Sequence, residues 1–258
     1  MDRDTKRFVT RELWVEHGVS RIYGVLHLPK GAEHGTPLPA VICSHFFGGT
    51  HRTSSKYARA LATQGFVIYA FDFCGGSPES RSTGVTTECS IRTEEEDLSA
   101  ILDAIRDLPG VDASRVFLLG QSQGGAVSAM LAAARPQDVA GLVLCYPAFV
   151  IHDDAVRRFG TTDKVPETYH MWLDLGRAYA VDAIEYDFFE RIGAYAGPVL
   201  LFQGDEDDME PPAYTERAAR LYAHACLEVI QGAGHGFHGA DFAHVIDRTA
   251  ELVRMGEL

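Results

Sequence analysis

The feature that most constrains the fold of this chain is a glycine–serine turn between an apolar run and a run of small residues. Val116 to Leu119 is strand-like, Ala126 to Ala134 has the composition of a helix, and Gly120-Gln-Ser-Gln-Gly124 between them fits G-x-S-x-G. A serine on so tight a strand-to-helix turn has a strained backbone and an exposed hydroxyl, and the flanking glycines let strand and helix approach closely. The turn also places the helix N-terminus, with its free N–H groups and positive dipole end, beneath the reacting oxygen. This context favours Ser122 as a nucleophile over a plain Gly/Ser-rich turn.

Apolar runs alternate with helical patterns along most of the chain. Buried strands are predicted at Val116–Leu119, Ala40–Cys43, Phe66–Phe71, Val139–Cys145, Val199–Phe202 and Ala225–Ile230. Helices are predicted at Ser54–Gln64, Ile91–Leu108, Ala213–Tyr222 and Phe242–Met255, and the acidic run Glu94–Asp97 suits a solvated helix face. Phe8–Glu16 and Ile22–Leu28 read as an antiparallel hairpin at one sheet edge. The pattern predicts an α/β protein with a mostly parallel sheet of about eight strands and helices on both faces.

The interval from Tyr146 to Pro198 interrupts this alternation. It separates two core strands by far more chain than a strand–helix connection needs, and it holds 10 of the 26 aromatic residues. One interpretation is a core helix with aromatic loops, and a helix is predicted at Asp182–Ile192. The other, which we favour, is that residues 148–195 form a cap inserted between two core parts, 1–147 and 196–258. Tyr169 and Trp172 in such a cap, with Phe46, are candidates for substrate binding.

A serine nucleophile needs a base, and eleven histidines compete for that role. His235 lies in the glycine-flanked loop Gly232–Phe237, directly after the last predicted strand, where a side chain can reach a site at the carboxyl end of the sheet. His238 is the nearest alternative. The base in turn needs an orienting carboxylate. Four acidic residues follow the predicted strand Val199–Phe202, and they are Asp205, Glu206, Asp207 and Asp208.

The motif Gly-Gln-Ser-Gln-Gly-Gly after Phe117-Leu-Leu119 resembles the nucleophile elbow of α/β-hydrolases. It is most similar to the cinnamoyl and feruloyl esterase-like branch, whose elbow commonly reads Gly-His-Ser-Gln-Gly-Gly, so Gln121 replaces a histidine. The resemblance runs from about Ile22 to Val253 and is weakest between Ala148 and Ala196. It implies the α/β-hydrolase fold, with a mostly parallel eight-stranded sheet and a small cap insertion that forms a substrate lid.

The resemblance also implies roles for individual residues. The family's acid commonly stands three residues after a glycine, with a proline soon after, and Gly204, Asp207 and Pro211 match that pattern. Asp205 is the next alternative. Gly-His-Gly-Phe around His235 resembles the family's catalytic-histidine loop. The order Ser122, Asp207, His235 is then nucleophile, acid and base, as this fold requires.

An oxyanion hole needs two fixed donors. The backbone N–H of Gln123, the residue after the serine, is one candidate. His45-Phe-Phe-Gly-Gly49 resembles the family's His-Gly-Phe-Thr-Gly segment, which implies the N–H of Phe47 as the second donor, although Phe46 stands where glycine is usual. A plain loop with two glycines is the alternative interpretation. His45 is interpreted as an anchor of this loop.

Composition excludes several classes of function. The net charge of −13 disfavours nucleic acid and acidic membrane surfaces as partners, and no apolar run approaches the length of a membrane span. The charged N-terminus lacks the apolar stretch of a signal peptide. Five cysteines without C-x-x-C spacing indicate reduced thiols in a cytoplasmic protein. No H-E-x-x-H, phosphate-loop or G-x-G-x-x-G pattern is present, so neither a metal nor a cofactor is expected.

These observations favour a serine esterase that acts on a small-molecule carboxylic ester, with aromatic acyl esters such as feruloyl or cinnamoyl esters as one substrate group. Two alternatives stay open, an oligopeptidase-type serine peptidase and a non-catalytic ligand-binding module on the same fold. The peptidases usually carry a large N-terminal propeller domain, which this sequence lacks. Oligomeric state is not readable from the sequence, and a homodimer is one alternative.

Overall fold

The computed structural model describes residues 7–32 and 35–258. The strands are β1 (Phe8–His17), β2 (Ser20–Pro29), β3 (Leu38–Ser44), β4 (Val67–Phe71), β5 (Val111–Gln121), β6 (Gly141–Cys145), β7 (Thr168–His170), β8 (Asp174–Gly176), β9 (Pro198–Gly204) and β10 (His224–Ile230). The helices are α1 (His51–Thr63), α2 (Ile91–Arg106), α3 (Gln123–Ala134), α4 (Ile151–Phe159), α5 (Arg177–Glu185), α6 (Pro212–Ala219) and α7 (Gly239–Met255).

Eight strands form one sheet in the order β1-β2-β4-β3-β5-β6-β9-β10. From β4 to β10 all neighbouring strands are parallel, whereas β2 is antiparallel to both β1 and β4. The predicted mostly parallel eight-stranded sheet and its edge hairpin are confirmed. The hairpin turns at Gly18, whose positive φ of 58° suits glycine, and the next residue, Val19, is almost fully exposed.

Helices cover both faces of the sheet, as the apolar strand cores predicted. Along β5, Val116 and Leu118 pack into a core layer with α2 and α3, and Phe117 and Leu119 pack into the opposite layer with α1 and α7. Successive side chains on a strand point to opposite faces, so a continuous apolar run fills both layers at once. Because β3, β5, β6, β9 and β10 run parallel, their carboxyl ends lie at the same edge of the sheet. The loops that follow these strands converge there.

The interval between β6 and β9 differs from its prediction in detail. The helix predicted at Asp182–Ile192 is wrong, because α5 ends at Glu185 and two short 3₁₀ turns follow at Phe188–Glu190 and Ile192–Ala194. Asp187 starts the first turn, since its side chain accepts a hydrogen bond from the N–H of Phe189 at 2.9 Å. Phe188, Ile192 and Tyr195 are fully buried in the core layer of α2 and α3. The last part of the interval therefore belongs to the core, and α4, the β7–β8 hairpin and α5 lie over the carboxyl edge.

Within the described residues, no helix is both long enough and apolar enough to cross a membrane.

Candidate active site

Ser122 stands between the end of β5 and the start of α3 in a backbone conformation that non-glycine residues rarely adopt. Its φ and ψ are 50° and −120°. The conformation is held from both sides, because the Ser122 N–H donates to the Cys145 carbonyl at 3.0 Å and the Ser122 carbonyl accepts from the N–H of Gly125 at 2.8 Å and of Ala148 at 3.0 Å. The backbone is thus strained at the residue that the motif singles out.

The two glycines of the motif are required by close backbone contacts. A Cβ at Gly120 would lie 2.3 Å from the carbonyl oxygen of Gly124, and a Cβ at Gly124 would lie 2.4 Å from the carbonyl oxygen of His45. Both neighbours are backbone atoms, which cannot rotate away as a side chain can. The strand, the helix and the loop after β3 can meet at Ser122 only if these positions lack a side chain.

His235 and Asp207 are in direct contact. His235 follows β10, Asp207 follows β9, and the His235 Nδ1 lies 2.9 Å from Oδ2 and 3.2 Å from Oδ1 of Asp207. The Asp207 carboxyl is buried and also accepts hydrogen bonds from the backbone N–H of Met209 and Glu210, each at 3.0 Å. Burial by itself raises the pKa of Asp207, but the hydrogen bonds from His235 and from these N–H groups outweigh it and hold the pKa below its usual value. Asp207 is therefore a carboxylate that orients the imidazole.

The alternative acid and base residues have other contacts. Asp205 accepts a hydrogen bond from the N–H of Gly232 at 2.6 Å, which links the loop after β9 to the loop after β10. His238 lines the same cavity as His235 and stands at the N-terminus of α7. Asp207, and not Asp205, is the residue that contacts His235.

Ser122 and His235 line one cavity of about 1020 Å³. Among the described residues, no hydrogen bond joins the Ser122 hydroxyl to the His235 ring, and such contacts are often loose before substrate binds. Seven aromatic side chains also line the cavity, and they are Phe46, Phe47, Tyr146, Phe159, Tyr169, Trp172 and Tyr179. The cavity can hold an acyl group next to a serine hydroxyl and an oriented imidazole.

The two expected oxyanion donors also lie on this cavity. Gln123 is the first residue of α3, so its N–H has no acceptor within the helix, and Phe47 lies in the loop after β3. His45 holds that loop, because its Nδ1 bonds the Phe46 carbonyl at 2.8 Å and its Nε2 accepts from the N–H of Phe73 at 3.2 Å. Burial lowers the pKa of His45 to about 4, so the ring is neutral and keeps one donor and one acceptor nitrogen.

One part of the site was missed by the sequence analysis. Gln123 Nε2 donates to Oε2 of Glu94 at 2.8 Å, and Gln123 Oε1 accepts a hydrogen bond from the Tyr179 hydroxyl. The side chain of Gln123 thus connects α2 to α5. Burial raises the pKa of Glu94 to about 8, against hydrogen bonds from Gln123 and Cys89 that lower it.

The expectation that the acidic run at the start of α2 is a solvated face is wrong for two of its residues. Glu94 and Asp97 are 2% and 3% exposed. Glu94 precedes Leu98 by four residues and Ile101 by seven, which places it on the apolar stripe of the helix, and this spacing was the available signal. Asp97 accepts a hydrogen bond from the N–H of Cys74 at 2.7 Å and so holds the loop after β4.

The three candidate substrate-binding side chains all face the cavity. Trp172 is 68% exposed and Phe46 is 37% exposed, so both lie at the rim. Tyr169 packs edge-on against Phe159 with ring centroids 5.0 Å apart. Phe47, in the loop after β3, packs against both Trp172 and Tyr179, with ring centroids 6.0 Å and 5.7 Å away.

A second histidine–aspartate contact lies outside this cavity. The Nδ1 of His51 is 2.7 Å from Oδ1 of Asp72; Oδ1 also accepts a hydrogen bond from the backbone N–H of His51, and Oδ2 accepts one from the backbone N–H of Arg81. Asp72 therefore ties the start of α1 to the loop after β4. Among the described residues, no group of three or more histidine, cysteine or acidic side chains is arranged to hold a metal ion.

Comparison with known proteins gives one family match and several relatives. A family model described as Serine aminopeptidase, S33 (Hydrolase_4) matches residues 35–188, more than half of the chain. A protein of Mycobacterium tuberculosis, named only as uncharacterized, is 30% identical over 199 residues, which are 76% of this chain and 63% of that protein. Monoglyceride lipase of Homo sapiens is 29% identical over 125 residues, 48% of this chain and 40% of the lipase. The chain thus spans less than two thirds of the length of these curated relatives.

A solved structure described as ferulic acid bound to Est1E from Butyrivibrio proteoclasticus has a TM-score of 0.81 to this chain. The alignment of the two structures covers 94% of this chain and 96% of the Est1E chain, with 21% sequence identity. At this identity the likeness concerns the fold.

Proposed function

This chain is an α/β hydrolase of the serine aminopeptidase S33 family (Hydrolase_4), and from this premise we propose that it is a serine hydrolase that cleaves small carboxylic esters. Ser122 is the nucleophile, His235 the general base and Asp207 the carboxylate that orients the histidine. The observation that carries the proposal is the strained backbone of Ser122 on the same cavity as an imidazole held by a buried carboxylate at 2.9 Å.

The hydrogen bond between His235 Nδ1 and Asp207 assigns the ring protons. Nδ1 carries the hydrogen toward Asp207, which leaves Nε2 free to accept the proton of the Ser122 hydroxyl. The serine oxygen then attacks the ester carbonyl, and the imidazolium returns the proton to the departing alcohol. Water, activated by the same histidine, hydrolyses the acyl-enzyme.

The backbone N–H groups of Gln123 and Phe47 are the proposed donors to the oxyanion of the tetrahedral intermediate. Gln123 begins α3, whose N-terminal dipole end also stabilises negative charge. The contacts of the Gln123 side chain with Glu94 and Tyr179 fix the position of this donor.

The cavity favours an ester with an apolar acyl group. Its aromatic side chains from the core loop and from α4, the β7–β8 hairpin and α5, which we propose to form a cap, can pack on a flat or aliphatic acyl group. The names of two similar proteins agree with such substrates, since one is called monoglyceride lipase and the other was solved with ferulic acid. Aromatic acyl esters and glycerol monoesters are therefore the first substrates to test.

Peptide-bond cleavage is a second candidate function, because the matching family model is described as a serine aminopeptidase. It uses the same nucleophile, base and acid. The two functions differ in the leaving group, which is an alcohol for an ester and an amine for a peptide.

The test compares substrates of both kinds with one protein preparation. Nitrophenyl esters of increasing chain length, methyl ferulate and a monoacylglycerol are assayed beside aminoacyl nitroanilides. We expect hydrolysis of esters, with Ser122→Ala lowering kcat by several orders of magnitude at an unchanged melting temperature. Cleavage of the nitroanilides alone would replace the ester proposal with the peptidase, and undiminished ester turnover by Ser122→Ala would refute the assignment of the nucleophile.

A further inference from the structure

The Glu210 carboxyl lies in the wall of the cavity and has no part in the catalysis proposed above. The residue is 5% exposed and lines the cavity with Val150, Ile151 and Met209. Its Oε2 atom is buried and has no hydrogen-bond partner among the described residues. A buried polar atom without a partner is unfavourable, and a ligand that supplies the partner relieves that penalty.

Two of the contacts that hold the loop around Glu210 use its main chain. The backbone N–H of Glu210 donates to Oδ1 of Asp207 and its carbonyl accepts from Nε2 of Gln203, each at 3.0 Å. Both contacts use main-chain atoms of Glu210, so they survive a change of its side chain. The carboxyl itself accepts one hydrogen bond, from the Val150 backbone at the start of α4, and this leaves Oε2 as the oxygen without a partner.

The surroundings keep the Glu210 carboxyl protonated. Burial raises its pKa to about 9, a hydrogen bond from the Val150 backbone opposes the rise, and the charges of Asp207 and Asp154 add to it. The two arginines that line the cavity bind elsewhere, Arg157 to Asp154 at 2.6 Å and Arg158 to the His170 carbonyl at 2.9 Å. At neutral pH the group is an uncharged hydrogen-bond donor in the wall of the cavity.

We propose that Glu210 is a specificity-determining residue that donates a hydrogen bond to an uncharged oxygen, such as a hydroxyl, ether or carbonyl, of the substrate. This inference rests on the proposed ester hydrolysis and adds to it that one face of the cavity selects oxygenated substrates. A protonated Glu210 carries no charge to pair with an ammonium ion, and Asp154, the lining carboxylate that acts on it, is already paired with Arg157.

Two pairs of esters test the selection. In one pair a methylene of the acyl chain is replaced by an ether oxygen, and in the other the replacement is in the alcohol. For the pair that places its oxygen against Glu210, we expect the protein to have a higher kcat/KM for the oxygenated ester than for its methylene analogue. Glu210→Leu should lower the ratio of these two kcat/KM values about tenfold. Glu210→Gln keeps a donor and should keep most of the preference.

Glu206→Gln is the matched control, since Glu206 is an exposed carboxyl on the same loop and does not line the cavity. It should leave both ratios unchanged. Equal ratios in the unchanged protein and in Glu210→Leu for both pairs would overturn the inference while leaving ester hydrolysis intact. Preferential binding of an amine by the unchanged protein, lost in Glu210→Leu, would also overturn it and would favour the aminopeptidase.

A second measurement does not depend on turnover. Infrared difference spectra of Ser122→Ala against Ser122→Ala/Glu210→Gln should show a protonated carboxyl band at neutral pH. The band should shift when the oxygenated ester of the selected pair is added and stay in place with its methylene analogue. An absent band, or one that ignores the oxygenated ester, refutes the inference whether or not the protein hydrolyses esters.

Discussion

Three buried carboxyl groups near the cavity differ in protonation because their partners differ. Asp207 receives hydrogen bonds from His235 and two backbone N–H groups, and these hold its pKa below the usual value. Glu94 and Glu210 are buried with fewer donors, and burial raises the pKa of Glu94 to about 8 and of Glu210 to about 9. The protonation state of each carboxyl at this site therefore depends on the number of hydrogen-bond donors around it, and not on whether the residue is Asp or Glu.

The contacts of the two neighbouring aspartates predict opposite consequences for their substitution. Asp207→Asn should lower kcat by about 10⁴-fold, because an amide cannot hold His235 in the same tautomer. Asp205→Asn should lower kcat less than tenfold and act mainly on stability, since Asp205 only ties two loops together. Steady-state kinetics and thermal unfolding of both variants check this, and a larger kinetic loss in Asp205→Asn would show that the acid is misassigned.

The raised pKa of Glu94 predicts a pH dependence of stability. Between about pH 4.5 and pH 8 the folded protein retains the Glu94 proton while the unfolded chain releases it, so this carboxyl makes the free energy of unfolding fall as pH rises. Glu94→Gln removes the effect. As pH rises through this window, the free energy of unfolding of Glu94→Gln should increase relative to that of the unchanged protein, by an amount on the order of a few kcal/mol.

Urea unfolding of Glu94→Gln at pH 5 and pH 8 measures the difference. Glu96→Gln, an exposed position on the same helix, is the control and should show no such trend. A constant difference between Glu94→Gln and the unchanged protein at both pH values would mean that Glu94 is ionised in the fold.

At the scale of elements, the first turn of α3 is the point where three parts of the fold meet. Gly124 contacts the loop after β3, Ser122 contacts β6 and the loop that follows it, and the Gln123 side chain joins α2 to α5. The apolar residues of α3 are buried on all sides, which suits a helix enclosed by its neighbours. The hydrogen bond from Tyr179 to Gln123 therefore links α5 to the residue that follows Ser122.

Removal of that hydrogen bond should weaken both α5 and the oxyanion donor. Tyr179→Phe leaves Oε1 of Gln123 buried without a partner, which costs about 1–3 kcal/mol of unfolding free energy. We expect kcat to fall a few-fold with a smaller change in KM, because the N–H of Gln123 acts on the transition state.

Tyr186→Phe is the matched control for Tyr179→Phe, since it removes a hydroxyl from a buried ring immediately after the same helix. Urea unfolding and steady-state kinetics compare the two. An equal fall of kcat in both variants would show that the bond between Tyr179 and Gln123 has no specific effect on turnover.

At the scale of the whole molecule, the segment between β6 and β9 has two different structural roles. Phe188 and Tyr195 are fully buried in the main core, whereas Tyr169 and Trp172 on the β7–β8 hairpin line the cavity. The hairpin is attached through the Thr86 hydroxyl, which donates to the Asp174 carbonyl at 2.6 Å, and through Gly176, where a Cβ would lie 2.0 Å from the Thr87 carbonyl oxygen. The buried side chains of residues 161–176, Val165 and Leu175, lie outside the two main core clusters, whereas Phe188 and Ile192 of the 3₁₀ turns belong to one of them. We therefore expect the core to tolerate replacement of the hairpin better than replacement of the turns.

Replacement of residues 161–176 by a glycine–serine linker of equal length should separate specificity from chemistry. The variant should react with a small fluorophosphonate at Ser122 but lose its preference for aromatic over short aliphatic esters, by about 5- to 150-fold in the ratio of kcat/KM values for two lost aromatic contacts. Substrate-specificity profiles and labelling rates measure the two effects. An unchanged ranking of esters would leave the hairpin with a structural role only.

Local patterns in the sequence predicted the eight strands of the main sheet, most helices and the elbow, but not β7, β8 or α4. Val116–Leu119 is apolar at every position and forms the centre of β5, and the spacing of Gly120 and Gly124 predicts the close backbone contacts that the structure has. The predicted helix boundary at α5 was wrong. The apolar spacing continues past Glu185, but the side chain of Asp187 begins a new 3₁₀ turn there.

Which polar side chains come into contact depends on how distant segments of the chain pack together. Four acidic residues follow β9 with similar local sequence, and the one that contacts His235 is selected by the position of the loop after β10. The burial of Glu94 and Glu210, and so their protonation, depends on neighbours from α3, α5 and the start of α4. A local pattern reports the conformation of a few residues, whereas the dielectric surroundings and hydrogen-bond partners of a side chain come from segments distant in the chain.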